Sequence, residues 1–332
     1  MPVVQQAPAL VSPPTNAFGL VQYVAQRVPG YDFSEYLREI NAAYIHVWEE
    51  VSKLKNHYFT NIKTVTVATA QFEYDFMFNA DNGLSAAVSP RLYQITRIRV
   101  LPPAGGLYQA TRAMTPNDPD FISIAANPTS TPTQTGPYYW YLTGRNQVRW
   151  GLPLAVGTTL EVSYTFWPLA LTYTFAGTIA SSGTAITGTS TTFLQLMQPD
   201  FQSFQPSVQA QEEAQEELVG PDSQIYRVKA VTSNTALTLA TAPNPVFPVG
   251  SAYVLAVLPE IPREHIRVIA AIAVQKMYSL AGDDSRSQEW AAISTSNIQM
   301  CKDSLMERQS NNPPSKMRFP YGIGRRNRAF LR

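Results

Sequence analysis

The sequence is poor in the residues that most often perform chemistry. Its 332 residues include one cysteine, Cys301, and three histidines, His46, His57 and His265. A single cysteine excludes a disulfide within the chain and fits assembly in a reducing cytoplasm. Histidines so far apart in sequence are more often packing or surface residues than metal ligands. Redox and zinc chemistry therefore have little support.

Motifs typical of enzymes are missing as well. The sequence contains no phosphate-binding GxxxxGK[ST] loop, no HExxH zinc motif and no GxSxG nucleophile elbow. Asp283 and Asp284 follow a glycine that would end a helix, so we interpret them as a helix cap rather than a metal site. Asp81, Asp118 and Asp120 fit turns better than ligands. We expect no catalytic residues, no metal, no cofactor and no enzymatic activity.

Charged residues and long apolar runs are also scarce. Charged residues make up 15% of the chain and apolar ones 45%, which favours a folded protein whose surface is partly covered by neighbours. No apolar run reaches the length of a membrane span, and the N-terminus does not have the pattern of a signal peptide. We therefore expect neither secretion nor membrane insertion.

The few charges are unevenly distributed along the chain. Six of the 25 lysines and arginines lie in residues 316–332, which contain no carboxylate. The 315 residues before them therefore hold 19 cations against 24 carboxylates. The body of the protein is mildly acidic and its tail is basic.

The first strong pattern along the chain is an amphipathic helix over about residues 33–57. Asp32 and Glu35 are spaced as a capping box at its start, and apolar residues follow at helical intervals. This apolar stripe includes Trp48, which we assign to the core rather than to an interface. Residues 1–30 contain prolines and only a short apolar piece, so we expect an N-terminal arm that a partner orders.

Two more helices are predicted near the end of the chain. The first begins at Pro262, a good residue for a first helical turn, and ends at Gly282. The second begins near Ser285 or Ser287. The single cysteine lies on its apolar stripe, so we expect a buried, inert thiol. The residues expected to face inward are Trp290, Ile293, Ile298, Cys301 and Leu305.

Between the helices the apolar period changes to two, which indicates strands. A hairpin is predicted from residue 60, because two alternating apolar runs follow each other closely; these runs contain Val65, Val67, Phe72, Tyr74 and Phe76. Further strands are predicted at Ile98–Val100, Tyr138–Leu142, Val148–Trp150 and Leu160–Phe166.

Loops and a small module complete the β region. Long loops with prolines are predicted at 101–136. Residues 175–257 predict a module of short strands curled into a barrel or sandwich, because glycine turns separate small β-branched residues. Within it, 195–224 is expected to be a solvated loop or short helix rather than a metal site. The carboxylates of this excursion are Glu212, Glu213, Glu216 and Glu217.

The predicted fold class is α+β. We expect a discontinuous helical bundle of one N-terminal and two C-terminal helices, since each helix has an apolar stripe that needs a partner. The antiparallel β region and the small β-barrel or sandwich module would be insertions into this bundle. The expected divisions are an N-terminal arm at 1–30, the first helix and β region at 31–174, the inserted module at 175–257, the C-terminal helices at 258–310 and an extended basic tail at 311–332.

The order of these elements is distinctive in the first half of the chain. The opening helix with Trp48 leads through Tyr58 and Phe59 into a segment that carries Phe72-x-Tyr74. A second stretch then has three strand-like pieces and ends in a tryptophan–proline pair. Its parts are Tyr138–Tyr141, Val148–Trp150, Leu160–Tyr164 and Trp167–Pro168.

A third stretch has Leu258 and Pro259 before a helix that ends at residues 280–283, and a further helix follows. Together the three stretches resemble head-to-tail adaptor proteins, the connector or neck proteins of tailed bacteriophages. The likeness covers most of residues 31–308 and rests on pattern and order. Family members often lack an insertion like 175–257, so a decoration, fibre-docking or tail-contacting role for that module is a hypothesis.

The resemblance implies a structural protein of the virion neck. Copies would form a ring under the portal protein, with twelve copies as in the family, and would dock tail components such as nozzle, tube or fibre-docking proteins. The protein would be assembled in the host cytoplasm. Genomic DNA would pass through the extended channel without sequence-specific contact, and an acidic wall would suit this passage because it does not attract phosphates.

The tail is the segment that we expect to bind the portal. Its large apolar residues alternate with smaller or charged ones, so an extended conformation places them on one side. This pattern favours a strand added in a groove between two portal subunits, with arginines at the rim; the alternative is a disordered solubilising tail. The expected portal-binding residues are Met317, Arg318, Phe319, Tyr321, Ile323, Arg325, Arg326, Arg328 and Phe330.

Three other functions are open on the sequence alone. A tail or baseplate structural protein of the same virion would use residues 175–257 as a host or fibre contact. A DNA-binding protein would use Arg325, Arg326 and Arg328 with Phe330, although six charges on a tail give weak affinity at physiological salt. A cell-wall hydrolase would need a carboxylate pair that the sequence does not identify.

Overall fold

The structure is a computed structural model, and the α+β class is confirmed. Within the described residues there are four helices and two seven-stranded sheets. The described residues are 14–54, 59–77, 83–89, 91–115, 117–118, 138–143, 147–196, 216–261 and 263–311.

The described residues form two compact units, which we treat separately. The helical unit comprises 14–54, 170–196 and 216–311, and the sheet unit comprises the described parts of 59–169. The helical unit contains all four helices and one sheet. The small β module and the helices thus belong to the same unit, and the module limits at 175 and 257 stay a prediction.

Helices α2, α3 and α4 confirm the three predicted helices. Their starts and ends differ from the predicted ones by a few residues. The helices of the unit are α1 (Ala17–Arg27), α2 (Phe33–Ser52), α3 (Ile266–Leu280) and α4 (Asp284–Asn311).

Predicted caps define two of the helix starts. The N–H of Asp32 donates to Oε2 of Glu35 at 3.1 Å, as a capping box requires. Asp283 caps α4, since its Oδ1 accepts from the N–H of Arg286 at 3.1 Å. The preceding Gly282 has a φ of +74°, the left-handed conformation that ends a helix favourably. The aspartate pair is therefore a cap, as predicted.

The N-terminal segment differs from the arm that we predicted. Residues Ala17–Arg27 form α1, with Phe18, Leu20, Val21 and Val24 buried, and this helix packs on α2 and α3. The prediction that a partner must order this segment is wrong for α1. The apolar run was too short to indicate a helix by itself, but burial on two neighbouring helices stabilises it.

Two tyrosine hydroxyls satisfy carbonyls at the end of α1. The hydroxyl of Tyr36 on α2 donates to the carbonyl of Val28 at 2.6 Å, and that of Tyr278 on α3 donates to the carbonyl of Arg27 at 2.9 Å. The last carbonyls of a helix have no partner within it, so such bonds remove a desolvation cost. They also fix α1 against both neighbours.

Helix α4 packs along α3 but exposes much of its surface. Ser294, Cys301 and Leu305 form its buried stripe, and the Ser294 hydroxyl donates to Oε1 of Gln275 on α3 at 3.0 Å. Ile293 was predicted to face inward, but its side chain is 37% exposed. The buried stripe is narrower than the apolar pattern of the sequence suggested, because α4 has one main helical neighbour, α3.

The sheet unit contains a seven-stranded sheet in the order β1-β7-β3-β4-β5-β6-β2. Every neighbouring pair is antiparallel except β4 and β5. Its interior is apolar and includes Trp140, Val148 and Trp150. The strands are β1 (Thr60–Thr66), β2 (Glu73–Asp75), β3 (Leu92–Leu101), β4 (Gln109–Ala113), β5 (Tyr138–Leu142), β6 (Gln147–Trp150) and β7 (Thr159–Phe166).

The predicted hairpin from residue 60 is wrong. Strands β1 and β2 lie at opposite ends of the sheet order, where β1 pairs with β7 and β2 with β6. The buried side chains of both strands, Val65 and Tyr74 among them, contribute to the same core. Two alternating runs indicate two strands, but they do not determine which strands pair with each other.

Strand β4 was missed inside the predicted loop at 101–136. Its sequence, Gln-Ala-Thr-Arg-Ala, does not alternate large apolar and polar residues, so it lacks the two-residue period that predicts a strand. Backbone pairing with β3 and β5 on either side holds it instead. Residues 116 and 119–136 of the predicted loop lie outside the described residues.

The sheet of the helical unit has the order β8-β14-β11-β12-β13-β10-β9. It curls, because Ile179 of β9 exchanges backbone hydrogen bonds of 2.9 and 3.0 Å with Ser251, just before β14. Its strands are β8 (Tyr173–Thr174), β9 (Thr178–Ser182), β10 (Ala185–Thr189), β11 (Glu216–Val219), β12 (Ile225–Ser233), β13 (Ala236–Leu239) and β14 (Val254–Val257).

Strand β11 contradicts the predicted solvated excursion at 195–224. Glu216 and Glu217 are 3% and 2% exposed, in a strand that pairs with β12 and β14. The four residues of β11, Glu-Glu-Leu-Val, show no apolar alternation, so no pattern in the sequence predicts a buried strand there. Glu212 and Glu213 lie outside the described residues.

Glu217 joins this sheet to α1. Its Oε2 accepts from the Thr15 hydroxyl at 2.9 Å and from Nδ2 of Asn16 at 3.0 Å. Asn16 is fully buried and caps α1, because its Oδ1 accepts from the N–H of Gly19 at 3.0 Å. The side-chain amide of Asn16 thus donates a hydrogen bond to the sheet through its nitrogen and accepts one from the helix through its oxygen.

We expect Asn16→Ala to destabilise the protein by about 1–3 kcal/mol, because it removes a helix cap and a hydrogen bond to a buried carboxylate. Asn16→Asp is the matched variant: it keeps the cap acceptor but places a second carboxylate against Glu217. It should therefore be at least as destabilising near neutral pH. Denaturant unfolding of both variants measures this, and an Asn16→Asp protein as stable as the wild type would contradict the assignment.

Candidate functional site

The predicted portal-binding residues cannot be placed. All nine, from Met317 to Phe330, lie outside the described residues. The last described residue before them is Asn311, at the end of α4. The portal-binding role of the tail stays a prediction.

The residues considered for metal binding are dispersed. His46 is exposed on α2, and His265 is buried next to α3, whereas His57, Asp81 and Asp120 lie outside the described residues. In the part of the chain that the structure describes, no three His, Cys, Asp or Glu side chains are grouped so that they could hold a metal ion.

Cys301 is 1% exposed on the buried stripe of α4. Burial raises the pKa of its thiol to about 11, so the nucleophilic thiolate is scarce at neutral pH. The predicted burial of this cysteine is confirmed.

Glu216 is a buried carboxyl of the helical unit whose pKa is strongly raised. Burial raises its pKa to about 8, and its Oε2 has no hydrogen-bond partner among the described residues. Alternation along β11 places it on the same side as Leu218, which belongs to the apolar core of the sheet, and opposite to Glu217. The two adjacent glutamates therefore differ in role: one is hydrogen-bonded to α1, and the other is a carboxyl held in apolar surroundings.

A second feature of the helical unit is the exposed side of α4. Ile293 and Met300 are 37% and 57% exposed, and a spacing of seven residues places them on one side of the helix. Ser296 lies between them and is also exposed. This side, which we call the α4 outer face, exposes two large apolar side chains.

The sheet unit brings together four arginines that are far apart in sequence. Arg97 and Arg99 lie two residues apart on β3, Arg112 lies on β4, and Arg149 lies on β6. These strands are neighbours, with β5 between β4 and β6. None of the four strands contains a carboxylate. We call these four residues the arginine strip.

Strand alternation directs the strip to the outside of the sheet. Trp140 on β5 and Trp150 on β6 are directly paired and buried in the core. Side chains alternate along a strand, so the residues next to each tryptophan in its own strand point outward. The outward residues Arg112 and Tyr139 are neighbours on β4 and β5. Tyr141 and Arg149 are likewise paired on β5 and β6.

One carboxylate at the border of the strip restrains two of its arginines. Nε of Arg99 donates to Oε1 of Glu161 on β7 at 2.6 Å, and the Arg97 guanidinium lies 3.9 Å from the same oxygen. The Arg99 guanidinium also lies over the ring of Tyr108 at 5.2 Å. Arg97 remains 57% exposed, and Arg112 and Arg149 are exposed without an ion pair to a described residue.

Sequence reasoning missed both the strip and the buried glutamates. The arginines span residues 97–149, and only the pairing order of β3 to β6 brings them together. The one local signal was Arg97-x-Arg99, which alternation places on one face. No local signal distinguished Glu216 from a solvated glutamate.

No protein-family model matches the chain, and no curated protein matches its sequence significantly. Among the described residues no helix is at once long enough and apolar enough to cross a lipid bilayer.

The raised pKa of Glu216 predicts a stability that falls with rising pH. The folded protein keeps this proton up to about pH 8, whereas the unfolded chain releases it near the ordinary value of 4.5. The free energy of unfolding should therefore decrease between these two values and level off above them. Glu216→Gln removes this decrease, so at pH 7 the variant should be more stable by roughly 3 kcal/mol.

Denaturant unfolding at pH 4 to 9 tests this expectation. The exposed Glu73 of β2 supplies a matched control, because Glu73→Gln makes the same change on the surface and should leave the pH profile of the wild type intact. A Glu216→Gln profile parallel to that of the wild type would show that Glu216 is ionised in the folded protein.

Proposed function

We propose that the chain is a structural head-to-tail adaptor of a tailed phage. Copies assemble as a ring under the portal protein, extend the DNA channel and dock tail components. The protein acts by binding and not by turnover. The arrangement of helices within the helical unit is the observation that carries the proposal.

That arrangement supports the proposal because early and late helices pack together. Helix α2 contacts α3, and α3 contacts α4, although more than 200 residues separate α2 from α3. Polar contacts join the same segments: the Tyr44 hydroxyl on α2 accepts from the N–H of Glu260 at 2.7 Å. A Lys302–Glu50 ion pair links α4 to α2, and its hydrogen bond is the main cause that lowers the pKa of Glu50 to about 2.

We infer from these contacts that the finer architecture is a discontinuous bundle with β segments inserted between its first and last helices. The order of an early helix, strands and late helices is the order on which the resemblance to connector proteins rests. The bundle contains α1 in addition to the three helices of the prediction. The curled sheet of the helical unit corresponds to the inserted barrel or sandwich module.

Two surfaces of the helical unit serve assembly in this proposal. The α4 outer face exposes Ile293 and Met300, and exposed apolar side chains of this kind are suited to a subunit interface. The tail that follows α4 then reaches the portal with its alternating apolar residues. The isolated protein is monomeric or weakly associating, since the portal supplies the template for the ring.

Removal of residues 316–332 should abolish stable attachment to the portal while leaving the melting temperature nearly unchanged. Each of the four large apolar residues from Met317 to Ile323 would contribute about 1.5–3 kcal/mol on full burial in a portal groove. If the tail is buried only in the portal groove, its apolar residues do not stabilise the isolated protein, so the truncation should not lower the melting temperature. Co-sedimentation with portal rings and differential scanning calorimetry measure the two quantities.

A full-length variant with a scrambled tail is the matched control. It keeps the composition and charge of 316–332 but loses the alternation, and it should fail to attach as the truncated chain does. Full-strength attachment of the truncated chain would refute the anchor role. A large fall in melting temperature would instead place the tail in the fold of the protein itself.

A further inference from the structure

We infer that the arginine strip of the sheet unit binds the sugar–phosphate backbone of nucleic acid without sequence preference. This inference does not depend on the portal assignment, because it rests on the sheet unit alone. It also differs from binding by the basic tail, since the strip lies on strands and the tail beyond α4.

The strip has a high density of like charge. Arg97 and Arg99 lie about 7 Å apart along β3, since a strand rises about 3.3 Å per residue. Arg99 on β3 pairs with Ala110 on β4. One step further along the two strands, the Thr111 hydroxyl donates to the carbonyl of Ile98 at 2.7 Å. The same antiparallel register places the next residues, Arg97 and Arg112, beside each other. Neighbouring strands are about 5 Å apart, so the charges of Arg97 and Arg112 repel. A bound polyanion relieves this repulsion.

The strip also has a regular shape. It crosses three strand intervals from β3 to β6, which is about 14 Å. A carboxylate ends it on each side: Glu161 on β7 is paired with Arg99, and Glu73 on β2 is paired with Arg149. The ligand that fits has closely repeated negative charges along a narrow path. Nucleic acid carries one charge per nucleotide on such a path, whereas protein surfaces usually intersperse carboxylates with cations.

The cations of the strip also share one type of side chain. All four cations are arginines, whose planar guanidinium binds phosphate oxygens in a bidentate manner. Tyr139 and Tyr141 are half-buried neighbours of Arg112 and Arg149 on β5. Arginines interleaved with aromatic rings on a sheet are typical of surfaces that bind nucleic acid. The charges, and not base edges, make the contacts, so no sequence preference is expected.

Fluorescence anisotropy with a labelled 20-nucleotide DNA, as a single strand and as a duplex, tests the inference on the full-length protein. Arg112→Gln/Arg149→Gln should weaken binding about tenfold. It should also make the slope of log affinity against log salt concentration less steep by about 2, because each of the two lost phosphate contacts accounts for about 1. Its melting temperature should change little, because the repulsion between Arg97 and Arg112 is removed while the attraction between Arg149 and the opposite Glu73 is lost.

Two further variants make the result specific. Glu161→Gln removes the carboxylate that pairs with Arg97 and Arg99, so it should strengthen binding severalfold. Lys229→Gln/Arg267→Gln removes two exposed cations of the helical unit and should leave affinity within about twofold of the wild type, although its net charge equals that of the strip variant.

A variant without the tail arginines separates binding by the strip from binding by the basic tail. Replacing Arg325, Arg326 and Arg328 by glutamine lowers the total affinity, but the loss caused by the strip substitutions should persist on that background. The inference is overturned if the strip substitutions leave affinity and salt slope unchanged. It is also overturned if polyglutamate displaces the DNA as well as unlabelled DNA does at equal charge, because the strip would then be a contact for acidic protein surfaces.

Discussion

The helical unit depends on one buried carboxylate. Glu217 is 2% exposed, and hydrogen bonds that Thr15 and Asn16 donate to it help to offset its cost of desolvation. Asn16 in turn starts α1, whose other end is fixed by tyrosine hydroxyls from α2 and α3. A single acceptor on β11 therefore determines where the first helix begins. The curled sheet and the helices are joined by this contact as well as by apolar burial.

The neighbouring glutamate has the opposite character. Glu216 lies on the opposite face of β11 from Glu217, and this face is turned toward the apolar core. No described residue donates a hydrogen bond to its Oε2 there. Such a group is neutral when buried, because desolvation disfavours the charged form. The two positions differ only by the alternation of a strand. A slip of one residue in the pairing of β11 would exchange a hydrogen-bonded carboxylate for an unpaired one, so the pair fixes the register of this strand.

Features with a local cause were predictable from the sequence, and features that depend on pairing were not. The capping box of Asp32 and Glu35 and the apolar stripe of α2 arise from neighbours on one helix, and both predictions are confirmed. The hairpin from residue 60 failed, because β1 and β2 each pair with strands more than 70 residues away. Helix α1 and strand β11 were missed for the same reason: distant partners, such as Glu217 for Asn16, stabilise them.

The same distinction applies to the candidate sites. The tail pattern from Met317 to Ile323 is local and was visible, but those residues lie outside the described ones. The arginine strip was invisible, because its residues come from separate strands and β4 has no apolar period at all. The sequence therefore suggests a candidate binding segment by its periodicity, whereas a candidate surface that depends on the order of strands in a sheet has no such signal.

The adaptor assignment requires that the portal templates the ring. Mass photometry of the full-length protein, alone and with the portal protein of the same phage, measures this directly. The account predicts a monomer of 36.8 kDa alone and, with portal present, one closed assembly whose number of copies matches the portal symmetry. A stable ring formed without portal, or no association with the portal at any ratio, would contradict it.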